Sequence, residues 1–249
     1  MPFLDAAGAP TTRVALDYRG GRRFQLREPL TWLDPRDGTR WNVPPHDPDG
    51  PVVRGNSTDL ASVPPFLWGL VAPYGRQALP AVLHDHLAAT ADRMTPAGAL
   101  RFRESADDAF RVALLESGVT ELRAAVLFSA VGVERHLRHA RVRGVLLVAQ
   151  GLLGVATLIA AVVLGVTAHP WWLLLAAAPA VAALPWGRTA GLVATATHLA
   201  ALYSPLIAAA AAASLADLLI ARLAWLLRGR GGTAPQPGPT VRGGNTSRG

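Results

Sequence analysis

The residue types able to move a proton or hold a cation gather in one part of this chain. His84 and Asp85 lie inside the run Ala81-Val82-Leu83-His84-Asp85-His86-Leu87, with Asp107 further along and Asp59 upstream. An imidazole has an unperturbed pKa of about 6.5 and exchanges a proton near neutrality, while a nearby carboxylate can fix its tautomer or bind a cation. Neighbours on a helix point about 100° apart, so His84 and Asp85 cannot pair with each other and each needs its own partner. The 23-residue separation from His84 to Asp107 fits a helix, a short connection and an antiparallel helix returning past the first. Asp85 then turns toward the chain entering from residues 58–64, where Asp59 could supply a second carboxylate.

Each group also has a structural reading. His84 and Asp107 would form a buried hydrogen-bonded pair joining two helices, since buried polar groups require partners. Asp59, Thr58 or Ser62 would cap a helix beginning near Pro64. Arg76 would either contact a phosphate or carboxylate or form an ion pair with Asp59 or Asp85. A phosphohydrolase arrangement of the H…HD…D kind needs an upstream histidine on a helix, but His46 is the only one and sits in a proline-rich stretch. His136 and His139 share a helix face and could support a metal. They stand among Arg135, Arg138, Arg141 and Arg143, which reads as a solvated face beside a membrane, attractive to anionic lipid headgroups.

The elements that must position these residues are legible as follows. Short apolar runs alternate with turn formers through residues 12–60: Val14-Ala15-Leu16, Phe24-Gln25-Leu26, then Leu30-Thr31-Trp32-Leu33 before Asp34-Pro35-Arg36-Asp37-Gly38. These read as short strands and a hairpin. Residues 44–51 are too rich in proline for a regular element and read as an exposed loop. From Pro64 the pattern turns helical: a short segment closed by Pro73-Tyr74-Gly75, and a helix from near Gln77 carrying His84, with His86 on its surface. A helix follows from Thr95-Pro96 to Gly118 carrying Asp107, and another from Thr120 through Leu137.

Thr58-Asp59-Leu60-Ala61-Ser62-Val63-Pro64, Ala81-Val82-Leu83-His84-Asp85-His86-Leu87 and Ala106-Asp107-Asp108-Ala109-Phe110 together resemble an uncharacterised family of phage- and prophage-associated proteins. Its motif runs T-D-L-A-S-[IV]-P, H-D-x-L-Y, A-D-x-x-F, and the likeness covers about residues 25–137. Ala88 stands where the family has an aromatic, and residues 44–57 are longer than the usual stretch. A weaker likeness, of H-D-x-x-Y followed by D-x-x-F, is to the helix pair of phospholipase A₂ enzymes. It implies His84 as general base activating water, Asp107 as its orienting carboxylate, and Asp85 as a ligand to calcium polarising an ester carbonyl. Those enzymes use disulfides and a glycine-rich calcium loop, and neither is visible in this sequence.

Charge divides the chain. Of 17 acidic residues, 16 fall within residues 1–143, which also hold 18 of the 24 arginines, leaving +2 there and +5 in the remainder of a +7 total. The basic excess therefore flanks apolar segments, which suits membrane orientation and argues against nucleic-acid binding. There is no lysine, which reads as the codon composition of a GC-rich bacterial genome, and no cysteine, so neither disulfides nor thiolate metal sites can form. The N-terminus lacks a basic region before an apolar stretch and reads as cytoplasmic. Residues 144–167 carry no charge, and about 20 apolar residues suffice to span a bilayer. Residues 171–186 form a second, shorter span with tryptophans at both ends. Residues 190–227 are long enough for two, 190–205 and 206–227, meeting at Tyr203-Ser204-Pro205. The tail, 231–249, reads as disordered.

The expectation is a cytoplasmic α+β domain, 1–143, of short strands then three to four helices, followed by an all-α membrane region, 144–230. Two functions stay open: an interaction or scaffold module at the inner face of a bacterial membrane, its protein partner unknown, or a metal-assisted hydrolase of a lipid ester.

Overall fold

The computed structural model describes residues 3–20, 23–60 and 75–227. The short helix expected at 64–71 and the tail at 231–249 lie outside them. Two small antiparallel sheets begin the chain. Strand β4 (Leu30–Leu33) is central in one, between β1 (Phe3–Leu4) and β5 (Arg40–Val43), while β2 (Leu16–Tyr18) pairs with β3 (Phe24–Leu26) in the other. Trp32 sits opposite Phe3 on one side and Trp41 on the other, and is fully buried. The β4–β5 hairpin closes with Gly38 at φ +74°, a left-handed conformation that costs glycine nothing. The sequence reading recovers β3, β4 and part of β2. It misses β1, two residues long, and β5, whose Arg40-Trp41-Asn42-Val43 carries no apolar run.

Three helices follow: α1 (Ala78–Ala91), α2 (Pro96–Glu116) and α3 (Glu121–His139). Leu79, Val82, Leu83 and Leu87 of α1 pack against Leu26, Leu30, Trp32 and Val43 of the sheets and against Ala106, Ala109 and Ala113 of α2. The alanines let α2 approach closely, and each fully buried leucine contributes about 1.5–3 kcal/mol. Pro80 falls in the first turn of α1, where its missing N–H has no helical acceptor to lose. The stop of α2 is a Schellman motif: Gly118, at φ +75°, donates to the Leu115 carbonyl and Val119 to that of Leu114.

Ala140 alone separates α3 from α4 (Arg141–Thr167), so the last helix of the N-terminal domain runs almost directly into the first long apolar helix. The approach is tight. A Cβ at Gly144 would lie 2.6 Å from the Leu137 backbone.

Residues 170–189 return antiparallel along α4, bringing Leu173 to Gly165, Pro179 to Gly154 and Ala183 to Leu147. They do so as two 3₁₀ segments (Pro170–Ala177 and Leu184–Thr189) around a short α5 (Ala178–Ala183), each beginning with a proline in its first turn. The single shorter helix expected over 171–186 is thus divided by Pro170, Pro179 and Pro185. Helix α6 (Ala190–Leu227) then runs parallel to α4, with Val193 beside Leu147 and Thr197 beside Gly154.

Where the sequence reading separates two spans at Tyr203-Ser204-Pro205, the structure has one helix of 38 residues, about 57 Å long. The reason is local. Pro205 cannot donate to the carbonyl of Ala201, and the Ser204 hydroxyl donates to it instead at 2.7 Å. The described residues include three helical segments long and apolar enough to cross a membrane: Arg141–Thr167, Pro170–Gly187 and Ala190–Leu227.

Candidate functional site

The site is assembled where β3, α1, α2 and α3 meet. Thr58 is pinned beside β3: it exchanges two backbone hydrogen bonds with Phe24, both at 2.8 Å. Its hydroxyl accepts from the Leu60 N–H at 2.9 Å and donates a short bond to Asp85 Oδ2. That turn holds the buried Leu60 at φ +66°, a left-handed conformation costing a branched side chain on the order of 1–2 kcal/mol. Asp85 is half-buried by accessible surface yet closely surrounded. Loss of hydration pushes its pKa up to about 6, the Thr58 hydrogen bond pulls it down, and the nearby Asp59 charge raises it.

His84 and Asp107 meet as their spacing predicts. His84 Nε2 lies 2.9 Å from Asp107 Oδ1, both side chains are buried, and the imidazole packs against the Phe110 ring at 4.8 Å between centroids. An ionised carboxylate only accepts, so the imidazole proton is on Nε2 and Nδ1 carries the lone pair. Asp107 has further partners that the sequence reading did not anticipate. Arg135 Nη1, from α3, donates to Asp107 Oδ2 at 2.8 Å, and Arg103 Nε stands 3.6 Å from Oδ1.

The pairing continues outward. Arg103 Nη2 reaches Glu134 Oε2 at 2.6 Å, Arg54 bridges Glu134 at 3.2 Å and Asp92 at 3.0 Å, and Arg138 clasps Asp92 at 2.9 and 3.0 Å. Burial alone would raise the Glu134 pKa, but Arg103 and Arg54 outweigh it and hold the carboxyl below its ordinary value. Asp107 and Glu134 balance Arg103 and Arg135, two charges against two, which lets Asp107 and both arginines leave water while Glu134 stays partly exposed at the edge.

The remaining sequence candidates fall as follows. Asp59 lies near enough to Asp85 to influence it. Among the described residues no three of His, Asp and Glu converge as a metal site. Calcium takes about six to eight oxygens, so Asp85 with Asp59 alone is an incomplete set. Arg76 contacts neither carboxylate: its Nη1 donates to the Gly118 carbonyl at 3.0 Å, at the C-terminal end of α2 where a cation is favoured. His136 and His139 do not lie on a solvated face. His136 is buried with Nδ1 donating to the Gly132 carbonyl, Arg135 is buried, and Arg138 and His139 turn to Asp92. The helix reads as solvated only until α2 and the returning apolar segment are packed on it.

His86 is partly buried rather than on the surface, and burial lowers its pKa, with Arg93 adding to the effect. His46 is held in its loop by the Leu26 N–H, which donates to Nδ1 at 2.9 Å; burial, then His86, depress its pKa. That loop is tied rather than loose, because Gln25 Nε2 reaches the carbonyls of Asp47 and Asn56 and the Asp47 N–H donates to Asn56 Oδ1 at 2.7 Å. Arg103 had a sequence signal, standing four residues before Asp107 on one helix face. Arg135 had none.

These features define a small α+β domain, its three helices knitted by buried ion pairs and continued by long apolar helices. Residues 26–131 match the model of a family described as "Protein of unknown function (DUF1353)", so this part of the chain is similar to that uncharacterised family. No curated protein and no solved structure matches the chain.

Proposed function

We propose that this is a multi-pass protein of a bacterial cell membrane whose N-terminal domain acts as a non-enzymatic interaction or scaffold module at the cytoplasmic face. The anchor reading rests on the three long apolar segments, and the orientation on Arg135, Arg138, Arg141 and Arg143, which flank the first of them. The protein partner is not identified by any residue pattern. One observation carries the non-enzymatic reading: both oxygens of Asp107 are occupied, by His84 on one side and Arg135 on the other. A carboxylate already neutralised by a buried arginine gives little extra stabilisation to an imidazolium, which is what a catalytic dyad asks of it. The histidine therefore serves as a strut between α1 and α2.

The alternative is a membrane-proximal, metal-assisted hydrolase of a lipid ester, with His84 as base, Asp107 positioning it and Asp85 on calcium. It is favoured by the tautomer, since Nε2–H on Asp107 leaves Nδ1 basic. The test is fatty-acid release from phospholipid vesicles containing the full chain, with and without calcium. We expect none above background. Release that disappears in a folded His84→Gln variant would overturn the scaffold reading.

A further inference from the structure

Where the N-terminal domain meets the apolar helices there is a cavity of about 820 Å³, half open to the outside. Its chemistry is graded. Arg143, Leu146, Gln150 and Leu153 of α4 line one wall at spacings of three and four, so they form one helix face running from a cation to apolar side chains. The facing wall is Ala182, Pro185 and Trp186 of the returning segment. Gln150 does not make this wall polar: it accepts from Trp186 Nε1 at 2.6 Å and donates to the Ala182 carbonyl at 2.7 Å.

The roof holds Arg135 and His136 from α3 and Glu104 from α2. Arg135 is only 3% exposed, and of its five N–H donors Nη1 alone has an acceptor among the described residues. Arg143 is exposed and makes no ion pair among the described residues. Glu104, the one acid on the lining, is exposed, and with Arg135 already matched by Asp107 the uncompensated cation on the lining is Arg143, while Arg135 offers its unused donors. A buried guanidinium with unused donors, a second at the mouth and an apolar trough leading away describe a receptor for an anion attached to a hydrocarbon chain.

We propose that this cavity binds one anionic glycerophospholipid, with its phosphate between Arg135 and Arg143 and an acyl chain laid against Leu146 and Leu153. The inference rests on the membrane-anchored reading, and the bound lipid would fill the seam between domain and anchor.

The test uses the full chain. Alkali-resistant flotation with phosphatidylcholine vesicles first asks whether it inserts at all; failure there removes the anchor reading itself. Protein that inserts is then purified from mixed phosphatidylglycerol–phosphatidylcholine vesicles, washed in detergent, and its retained lipid counted by native mass spectrometry. We expect about one phosphatidylglycerol per chain, retained at least about fivefold over phosphatidylcholine. Arg143→Ala should lower that retention about five- to tenfold, since each arginine near a lipid surface contributes on that scale. Ala149→Trp, which fills the trough without touching charge, should abolish it. Arg141→Ala, about 200° around the helix from Arg143 and not on the cavity wall, should stay within about twofold. Equal retention of the two lipids, or equal loss from Arg141→Ala and Arg143→Ala, would reduce the effect to general surface attraction and overturn the site. Displacement of the lipid by glycerol phosphate would make it a plain phosphate site and likewise overturn it.

Discussion

The Arg135 guanidinium meets Asp107 Oδ2 at 2.8 Å across 28 residues of chain, and both groups are buried. One stands in the middle of α2 and the other near the end of α3, a turn before the chain enters the apolar helices. Truncating one partner of such a pair leaves an uncompensated charge out of water, and Asp107 has two arginines depending on it. Asp107→Asn should therefore destabilise the protein by about 3–5 kcal/mol in denaturant unfolding of the full chain. A cost under about 1 kcal/mol would show that the arginines find water or other partners.

Arg103 should behave differently. It is fully buried, but its Nε and Nη1 have no hydrogen-bond partner among the described residues, and Glu134 keeps Arg54 when Arg103 is removed. Removing Arg103 leaves Asp107 with Arg135 and the partly exposed Glu134 with Arg54, so no buried charge is left without a partner. Arg103→Met should cost less than half of what Asp107→Asn costs under the same conditions.

Asp85 predicts a pH dependence of definite sign. Its carboxyl titrates near 6 in the fold, against 3.8 in an unstructured chain, so between these values the folded chain holds a proton that the unfolded chain has released. Stability through this group falls as pH rises across that window, and the cost is complete above it. Asparagine imitates the protonated acid and still accepts from Thr58. Asp85→Asn should raise stability by about 1–3 kcal/mol at pH 7.5, with the gain vanishing toward pH 4. His46, His86 and His139 have depressed pKa values and pull the opposite way, losing stability as pH falls below 6.5. The difference between mutant and wild-type curves isolates Asp85. A stabilised variant that lost a cellular activity would mark Asp85 as retained for function.

The α3–α4 junction can be probed through two glycines. A Cβ on Gly144 would lie 2.6 Å from the backbone of Leu137, which cannot yield, whereas one on Gly132 would lie 2.7 Å from the flexible tip of Leu192. Gly144→Ala should cost about 1–3 kcal/mol and Gly132→Ala clearly less, as measured by thermal unfolding in detergent.

In α6 the Ser204 hydroxyl replaces the donor that Pro205 lacks. Because the chain has no cysteine, spin labels at introduced Ala200→Cys and Leu215→Cys report on this joint alone. A continuous helix gives a narrow distribution near 22 Å, from about 1.5 Å per residue, before the length of the labels is added. Ser204→Ala should broaden it, and adding Pro205→Ala should narrow it again.

The pairing of His84 with Asp107 was legible because it depends only on two helices and a short connection, which spacing conveys. The partner of Asp85 was legible in direction: the entering chain supplies Thr58, whose hydroxyl approaches where the sequence suggested the Asp59 carboxylate. Arg135 was not legible. An arginine next to an apolar run reads as a membrane flank, and only the packing of α3 against α2 turns it inward. The unbroken α6 was hidden for the opposite reason, since Tyr203-Ser204-Pro205 looks like a stop until the serine is seen to supply the missing donor. Strands β1 and β5 escaped notice because tertiary contacts, rather than their own composition, hold them.

The single residue between α3 and α4 has a mechanical consequence. With Ala140 as the only spacer and Gly144 pressed against Leu137, the two helices cannot swivel freely. A helix crossing a bilayer adjusts its tilt to the thickness of the hydrocarbon around it. Any such adjustment by α4 would be passed through α3, and through the ion pairs bound to it, as a rotation of the whole N-terminal domain. On the membrane-anchored reading proposed above, the angle at which that domain faces its surroundings would thus follow the thickness of the lipid around α4.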